Sequence, residues 1–280
     1  MGQLHQMQES VARHYNNSVF DYESVRLPQY SPIEFAITTR YLNRWISDGA
    51  TIGDIGVGVG HYAELLARRG CSIYLVDISQ RLLEAAYARL KELKLHERVI
   101  GVHQASATEL DCLETGRLDA VLLLGPLYHL CSVEERQSAV KEASRVLKQD
   151  GLLFAAGINR LAYFRELFRA TPQLALSRRD FHEQLLQDGN VDPLHAPPLG
   201  YAHLTTYEEL RQLFKAEFNE VTLTGVESFA SSWPDSINNL APTEVEAWLD
   251  LVEATGNTPE GLGMTDHFLY IGRKKAAGVN

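Results

Sequence analysis

Two carboxylates and a run of glycines are the residues of this chain best suited to chemistry. The run is Gly53-Asp54-Ile55-Gly56-Val57-Gly58-Val59-Gly60-His61-Tyr62. Closely spaced glycines let a backbone turn sharply and approach a ligand. A helix that follows such a turn offers free N–H groups and the positive end of its dipole. Asp54 sits inside the run. A second acid, Asp77, ends Tyr74-Leu75-Val76-Asp77. A carboxylate at the end of the next strand accepts two hydrogen bonds from ribose hydroxyls. The glycine run by itself identifies only a nucleotide-like ligand, because nucleotide and dinucleotide binders share it.

The elements that must position these residues are readable from periodicity. Ala50 to Ile55 reads as a strand that ends in the glycine turn, and His61 to Arg69 as a helix. Ser72 to Val76 is a second strand. Ser79 then caps a helix running to about Lys94, whose Leu82, Leu83, Ala86, Leu90 and Leu93 recur at helical spacing. Val99 to His103 and Ala120 to Leu124 read as two further strands, the latter apolar on both faces like a central parallel strand. Ser132 to Leu147 is a helix with a capping box of Ser132 and Glu135, and Gly151 to Gly157 is a fifth strand. Strands that alternate with helices imply a parallel sheet.

Beyond residue 159 the pattern loosens. Leu161 to Arg169 reads as a helix, followed by a loop rich in Pro, Asp and His. Thr205 or Thr206 caps another helix, Val221 to Thr224 is a strand, a helix begins after Pro242, and His267 to Ile271 is a final strand. The first forty residues and two interruptions, at about 159–203 and 227–263, fall outside the sheet. They are expected to form a cap over its carboxyl edge, where open α/β sheets bind ligands.

Composition narrows the function classes. The 280 residues carry a net charge of −10, which disfavours a nucleic-acid partner. No apolar run approaches the roughly 20 residues of a membrane span, and the polar N-terminus lacks the apolar core of a secretory signal. Cys71, Cys112 and Cys131 fit neither a zinc pattern nor a disulfide framework, so reduced thiols in a cytoplasmic protein are expected. His182, His195 and His203 are too scattered to hold a metal, and none is expected.

At this point the sequence resembles the class I S-adenosylmethionine (SAM)-dependent methyltransferases, from about Tyr41 through Asn159 and again in the last helix and strand. Asp54-Ile-Gly-Val-Gly-Val-Gly60 is similar to their first motif and Val76-Asp77-Ile78-Ser79 to their second. His103-Gln-Ala-Ser-Ala107 occupies the place of the third. Asp119-Ala-Val-Leu-Leu-Leu-Gly125-Pro-Leu-Tyr-His-Leu130 resembles the fourth, and Ala143-Ser-Arg-Val-Leu-Lys-Gln-Asp-Gly-Leu-Leu153 the turn into the fifth strand. The Gly-Pro-Leu-Tyr-His-Leu form and the ending Asp266-His-Phe-Leu-Tyr-Ile-Gly-Arg273 resemble a bacterial subgroup acting on small molecules. The resemblance implies a Rossmann-like α/β fold with a central, mostly parallel seven-stranded sheet and helices on both faces. Residues 1–40 would be a lid and residues 41–280 the SAM-binding domain, interrupted by the two cap insertions.

Carried over by position, the resemblance places Asp54, Gly56, Gly58 and Gly60 around the methionine part of SAM. Asp77 would hold the ribose and Ile78 the adenine face. Ser106 and Ala107 would meet the adenine edge, and Leu124 and Gly125 would border the sulfonium. Many relatives carry Asp where this chain has Ser106, and a neutral hydroxyl makes the weaker contact. Tyr15 and Tyr22 lie in a segment that folds over SAM in the family. Either their rings face the sulfonium or they pack the cap. Arg26 answers a carboxylate or lies solvated at the surface. Tyr128 and His129 follow the fourth strand, where His129 serves as a general base or as a loop anchor. Asn159, Tyr163, Tyr201 and His203 flank the first interruption and are candidates for catalysis (Asn159) or for the substrate pocket. His267 is read as packing or loop support.

Three functions remain open at this stage. The first is methyl transfer from SAM to a small molecule. The second is a SAM-consuming cyclisation in which the amine of SAM attacks its own γ-carbon, giving azetidine-2-carboxylate and methylthioadenosine without a second substrate. The third is SAM binding without catalysis.

Overall fold

The computed structural model describes residues 2–276. Met1 and residues 277–280, the outer ends of the two expected segments, lie outside the described residues. At the centre are five parallel strands, β1 (Thr51–Ile55), β2 (Ser72–Asp77), β3 (Val99–Gln104), β4 (Leu118–Leu123) and β5 (Leu147–Asn159). Two later strands, β8 (Phe218–Gly225) and β9 (His267–Lys274), complete the seven-stranded sheet in the order β3-β2-β1-β4-β5-β9-β8. Here β9 is antiparallel to both neighbours. Side chains alternate across this sheet except where the register shifts at Ile73/Tyr74, Leu118/Ala120 and Glu220/Thr222. On β4, Ala120 and Leu122 enter one core while Val121 and Leu123 enter the other.

Helices α3 (Pro32–Trp45), α4 (His61–Arg68), α5 (Gln80–Glu92) and α11 (Pro242–Gly256) cover the first face through Ile37, Leu66, Leu83 and Leu249. Helices α6 (Val133–Val146), α10 (Tyr207–Phe214) and α12 (Pro259–Met264) cover the second through Val140, Phe214 and Leu262. Full burial of each such side chain contributes about 1.5–3 kcal/mol. The expected caps are present. Ser79 accepts from the Leu82 N–H at the start of α5, and Ser132/Glu135 and Thr206/Glu209 form reciprocal capping boxes on α6 and α10. No helix among the described residues is long and apolar enough to cross a membrane.

The structure departs from the sequence reading in the first interruption. After α7 (Arg160–Ala170), the stretch read as a loop contains α8 (Leu174–Ser177), α9 (Arg179–Asp188) and β6 (Asn190–Val191). Strand β7 (Ala202–Thr205) then runs beside the end of β5, with Ile158 opposite Leu204. Strand β5 outlasts β4, and β7 takes up the edge that β4 leaves. These elements enclose a small core of Leu185, Val191, Ala196, Ala202 and Leu204. Two short strands thus extend the expected seven to nine among the described residues.

The N-terminal segment consists of α1 (Gly2–Arg13), a π-helical turn (His14–Ser18), α2 (Phe20–Val25) and a second π-helical turn (Arg26–Tyr30). It is tied to the domain at several points. Asn16 Oδ1 accepts from the Ser79 hydroxyl at 2.6 Å, and the Asn16 carbonyl accepts from Arg81 at 2.6 Å. The Arg81 guanidinium lies over the Phe20 ring, 3.8 Å from its centroid.

Candidate active site

The glycine run, the ends of β2 and β4, the turn after β3 and the N-terminal segment enclose one cavity at the carboxyl edge of the sheet. Asp54, Gly56, Gly58, Asp77, Ile78, Ser106, Ala107, Leu124 and Gly125 all line it, as do Tyr15, Arg26, Tyr128 and His129. No residue of the two insertions lines it, which corrects the expectation that they cap the site. The first insertion abuts the N-terminal segment instead, with the Pro198 carbonyl 3.1 Å from His14 Nε2. The second packs α11 along α3, where Arg40 meets Glu246, Asp250 and Glu253.

Glycine is required where the run turns. Gly56 has φ +78°, and a β-carbon there would lie 2.5 Å from the ring of Pro126. Gly60 does not line the cavity. It caps α4 in the left-handed region, and its missing β-carbon admits Ala86 of α5 at 3.1 Å, so it serves helix packing.

Asp77 is buried and already holds the loop. Its Oδ2 accepts from the Gly58 N–H at 3.0 Å and its Oδ1 from the Ser79 N–H at 2.8 Å. Burial pushes it up to about 6, against the lowering effect of these bonds. Asp54 is buried with no hydrogen-bond donor to its carboxylate among the described residues. Burial, with the Asp77 charge behind it, pushes it up to about 7. A buried acid in that condition lacks a cation or donor. Ser106 spends its hydroxyl on a turn, 2.8 Å from Thr108 Oγ1.

Arg26 is not solvated. Its side chain is 18% exposed and makes a forked pair with Glu34, 2.7 Å at the nearer oxygen, while Nε meets Glu23 at 3.4 Å. Glu34 in turn lies 3.7 Å from His267, which is 2.6 Å from Glu227. These carboxylates push His267 up to about 9 despite its burial, so it is a cation at neutral pH. The packing role expected of His267 is thus an electrostatic one. Glu34, Glu227 and His267 bring ligand-type atoms within 4.8 Å. Glu227 is engaged by His267 and Thr265, which accounts for both of its oxygens.

Tyr15 and His129 meet across the cavity, hydroxyl to Nε2, at 2.7 Å. The other ring nitrogen of His129, Nδ1, is 3.0 Å from the Tyr201 carbonyl. Burial pushes His129 down to about 4 and the Tyr15 hydroxyl well above its ordinary value.

The remaining candidates lie elsewhere. Tyr22 is 47% exposed and stacks on Tyr30 outside the cavity. Asn159 caps α7 by accepting from the Leu161 N–H at 3.0 Å and donates to the Thr265 carbonyl at 2.8 Å, so it joins elements and faces no cavity. Tyr163 packs in the insertion core and accepts from Arg178 at 3.2 Å. Tyr201 meets His129 through its carbonyl and borders a second cleft beside Ser10. His203 bonds to Asn190 at 3.1 Å and lines a separate cavity of about 490 Å³ behind Leu127 and Tyr128. Cys131 is no nucleophile at neutral pH, because burial pushes its thiol up to about 11. Sequence reasoning missed Glu23, Glu34 and Tyr62. Only Glu23 left a signal, three residues before Arg26 on a helical spacing.

A family profile described as a methyltransferase domain matches residues 53–155. Those residues are similar to a methyltransferase domain, and the fold around them is the Rossmann-like one seen in solved methyltransferases. Curated proteins similar to this chain include the ubiquinone biosynthesis O-methyltransferases of Alkalilimnicola ehrlichii and Caulobacter vibrioides. The first is 32% identical over 52% of this chain and 58% of its own, and the second 30% over 40% and 42%. The chain therefore spans about half the length of these relatives. Among solved structures, a SAM-dependent methyltransferase of Methanosarcina mazei superposes with a TM-score of 0.59 at 19% identity, over 85% of this chain and 98% of its own. The 1,6-didemethyltoxoflavin N1-methyltransferase of Burkholderia thailandensis, solved with S-adenosylhomocysteine, gives 0.60 at 16%, over 99% and 92%. These two likenesses extend the methyltransferase fold beyond the profiled residues.

Proposed function

We propose that this protein transfers a methyl group from SAM to a hydroxyl of a small molecule. The observation that carries the reading is Asp54, a buried carboxylate without a partner, in the same cavity as Asp77 and Ile78. SAM supplies a methyl carbon made electrophilic by a positively charged sulfur, together with an ammonium group and a ribose. The ammonium answers Asp54, and the oxygens of Asp77 retain lone pairs for ribose hydroxyls. Gly56 and Gly58 keep the loop open to the methionine chain. Ile78 and Ala107 flank the base, with Ser106 a minor contact, and Leu124 and Gly125 border the reacting end. Tyr15, Tyr128 and Arg26 wall the acceptor side and exclude water. A hydroxyl acceptor is supported by the O-methyltransferase names of the curated relatives. The acidic charge of the chain argues against a nucleic-acid acceptor.

The test is to incubate the protein with SAM alone and with a panel of small phenols and alcohols, and to identify the nucleoside released. S-adenosylhomocysteine that forms only with an acceptor supports the proposal. Methylthioadenosine formed from SAM alone replaces it with cyclisation. Tight SAM binding without turnover replaces it with a binding role.

A further inference from the structure

We infer that Tyr15 and His129 form a two-residue proton relay, in which Tyr15 touches the acceptor hydroxyl and His129 keeps the proton that this hydroxyl sheds. The inference rests on the hydroxyl-methylating reading above. It starts from the direction of two hydrogen bonds. A carbonyl oxygen can only accept, so the 3.0 Å contact with Tyr201 puts a proton on His129 Nδ1. In a neutral ring that leaves Nε2 bare. The 2.7 Å contact must then run from the Tyr15 hydroxyl to Nε2. The hydroxyl has spent its proton, and its oxygen retains lone pairs for another donor. Both side chains line the cavity. Tyr15 comes from the N-terminal segment and His129 from the turn after β4, so the relay exists only when that segment is in place.

Tyr15 cannot act alone. Burial and the nearby Glu23 and Asp77 charges oppose a tyrosinate. The proton must therefore leave Tyr15 as another arrives. The acceptor proton passes to Tyr15 Oη while the Tyr15 proton passes to His129 Nε2. His129 becomes an imidazolium that still donates from Nδ1 to Tyr201. The balance in charge is what makes a buried, weakly basic imidazole suitable. One positive charge disappears from sulfur when its bond to the methyl carbon breaks and the electron pair stays on sulfur. One positive charge appears on His129. The net charge of the cavity is unchanged, so no bare charge is created in the closed site.

Two variants and one spectrum test this. In ¹⁵N-histidine spectra of the protein bound to S-adenosylhomocysteine, His129 should show a protonated Nδ1 and a bare Nε2 between about pH 6 and 8. The Nε2 signal should move in Tyr15→Phe. A proton on Nε2 in the unaltered protein overturns the relay. His129→Gln keeps an acceptor for the Tyr15 hydroxyl and cannot take a proton, so a mere latch would survive it. With the best hydroxyl acceptor from the panel, His129→Gln and Tyr15→Phe should each lower kcat by about 10²–10³-fold, the range of general-base catalysis, with KM for SAM within about threefold. A kcat within about threefold of the unaltered protein in His129→Gln overturns the relay alone. Failure of the unaltered protein to methylate any hydroxyl in the panel overturns the proposed function, and the relay with it.

Discussion

The sheet wall and the N-terminal wall of the cavity carry buried charge in opposite ways. On the sheet wall Asp54 stands without a partner and Asp77 is held by two backbone N–H groups. On the N-terminal wall Arg26 is held between Glu23 and Glu34, and the chain of charges continues through His267 to Glu227. One wall is left incomplete by the protein and the other is completed by it. A buried charge that lacks its partner raises the free energy of the empty site, and a ligand that supplies the partner recovers that energy on binding. The difference therefore separates groups that wait for a ligand from groups that shape the site.

The largest effect should come from the completed wall. Arg26→Met strands two carboxylates in the interior and should destabilise the protein by about 3–5 kcal/mol in urea unfolding. Adding Glu34→Gln should recover part of the loss. A cost below about 1 kcal/mol would collapse the contrast between the walls. On the incomplete wall, Asp77→Ala should weaken SAM binding by about 1–3 kcal/mol by calorimetry, and unchanged affinity would refute its place at the ribose.

Asp54→Asn should act with the opposite sign to Arg26→Met. Removing an unpartnered carboxylate should stabilise the ligand-free protein by about 1–2 kcal/mol at pH 8 and weaken SAM binding. A loss of stability in thermal melts would mean that a donor already serves Asp54.

The smallest expected effect is in pH dependence. Asp54 and Asp77 have folded values of about 7 and about 6, above the ordinary carboxylate range. Their contribution to stability is fully present in acid and is lost as pH rises through those values. SAM affinity should move the other way, rising about threefold to tenfold from pH 6 to 8 as Asp54 ionises. Asp54→Asn should flatten that rise. His267, raised to about 9, contributes stability that is full below about pH 6.5 and is lost as pH rises through 9. Melting curves of Asp54→Asn against pH would isolate this second limb.

The fold was legible where periodicity and turn chemistry act locally. The strand, glycine turn and helix from Thr51 to Arg68, the Ser79 cap and the Ser132/Glu135 box all stand where the residues indicate. Strands β6 and β7 were not legible, because two and four residues are too few to establish an alternation. The cavity-lining positions on the sheet followed from the ordered motifs, with Gly60 the exception. The polar residues chosen around the first insertion did not follow. A sequence does not reveal that the Asn159 amide bonds to the Thr265 carbonyl after α12, or that His203 faces Asn190. The pairing of Arg26, Glu34 and His267 was out of reach for a related reason. It depends on β9 lying next to β5, a long-range contact that no local spacing records.

That last pairing has a consequence for the chain as it is made. Arg26 and Glu34 leave the ribosome early, and the strand that begins at His267 leaves much later. At about 5–20 residues per second, roughly 10–50 seconds of translation separate them. Throughout that interval the charge array behind Arg26 ends at Glu34, and once β5 is complete at Asn159 its edge stays vacant until β9 arrives. A nascent chain thus exposes its glycine turn long before the charge array behind Arg26 is complete.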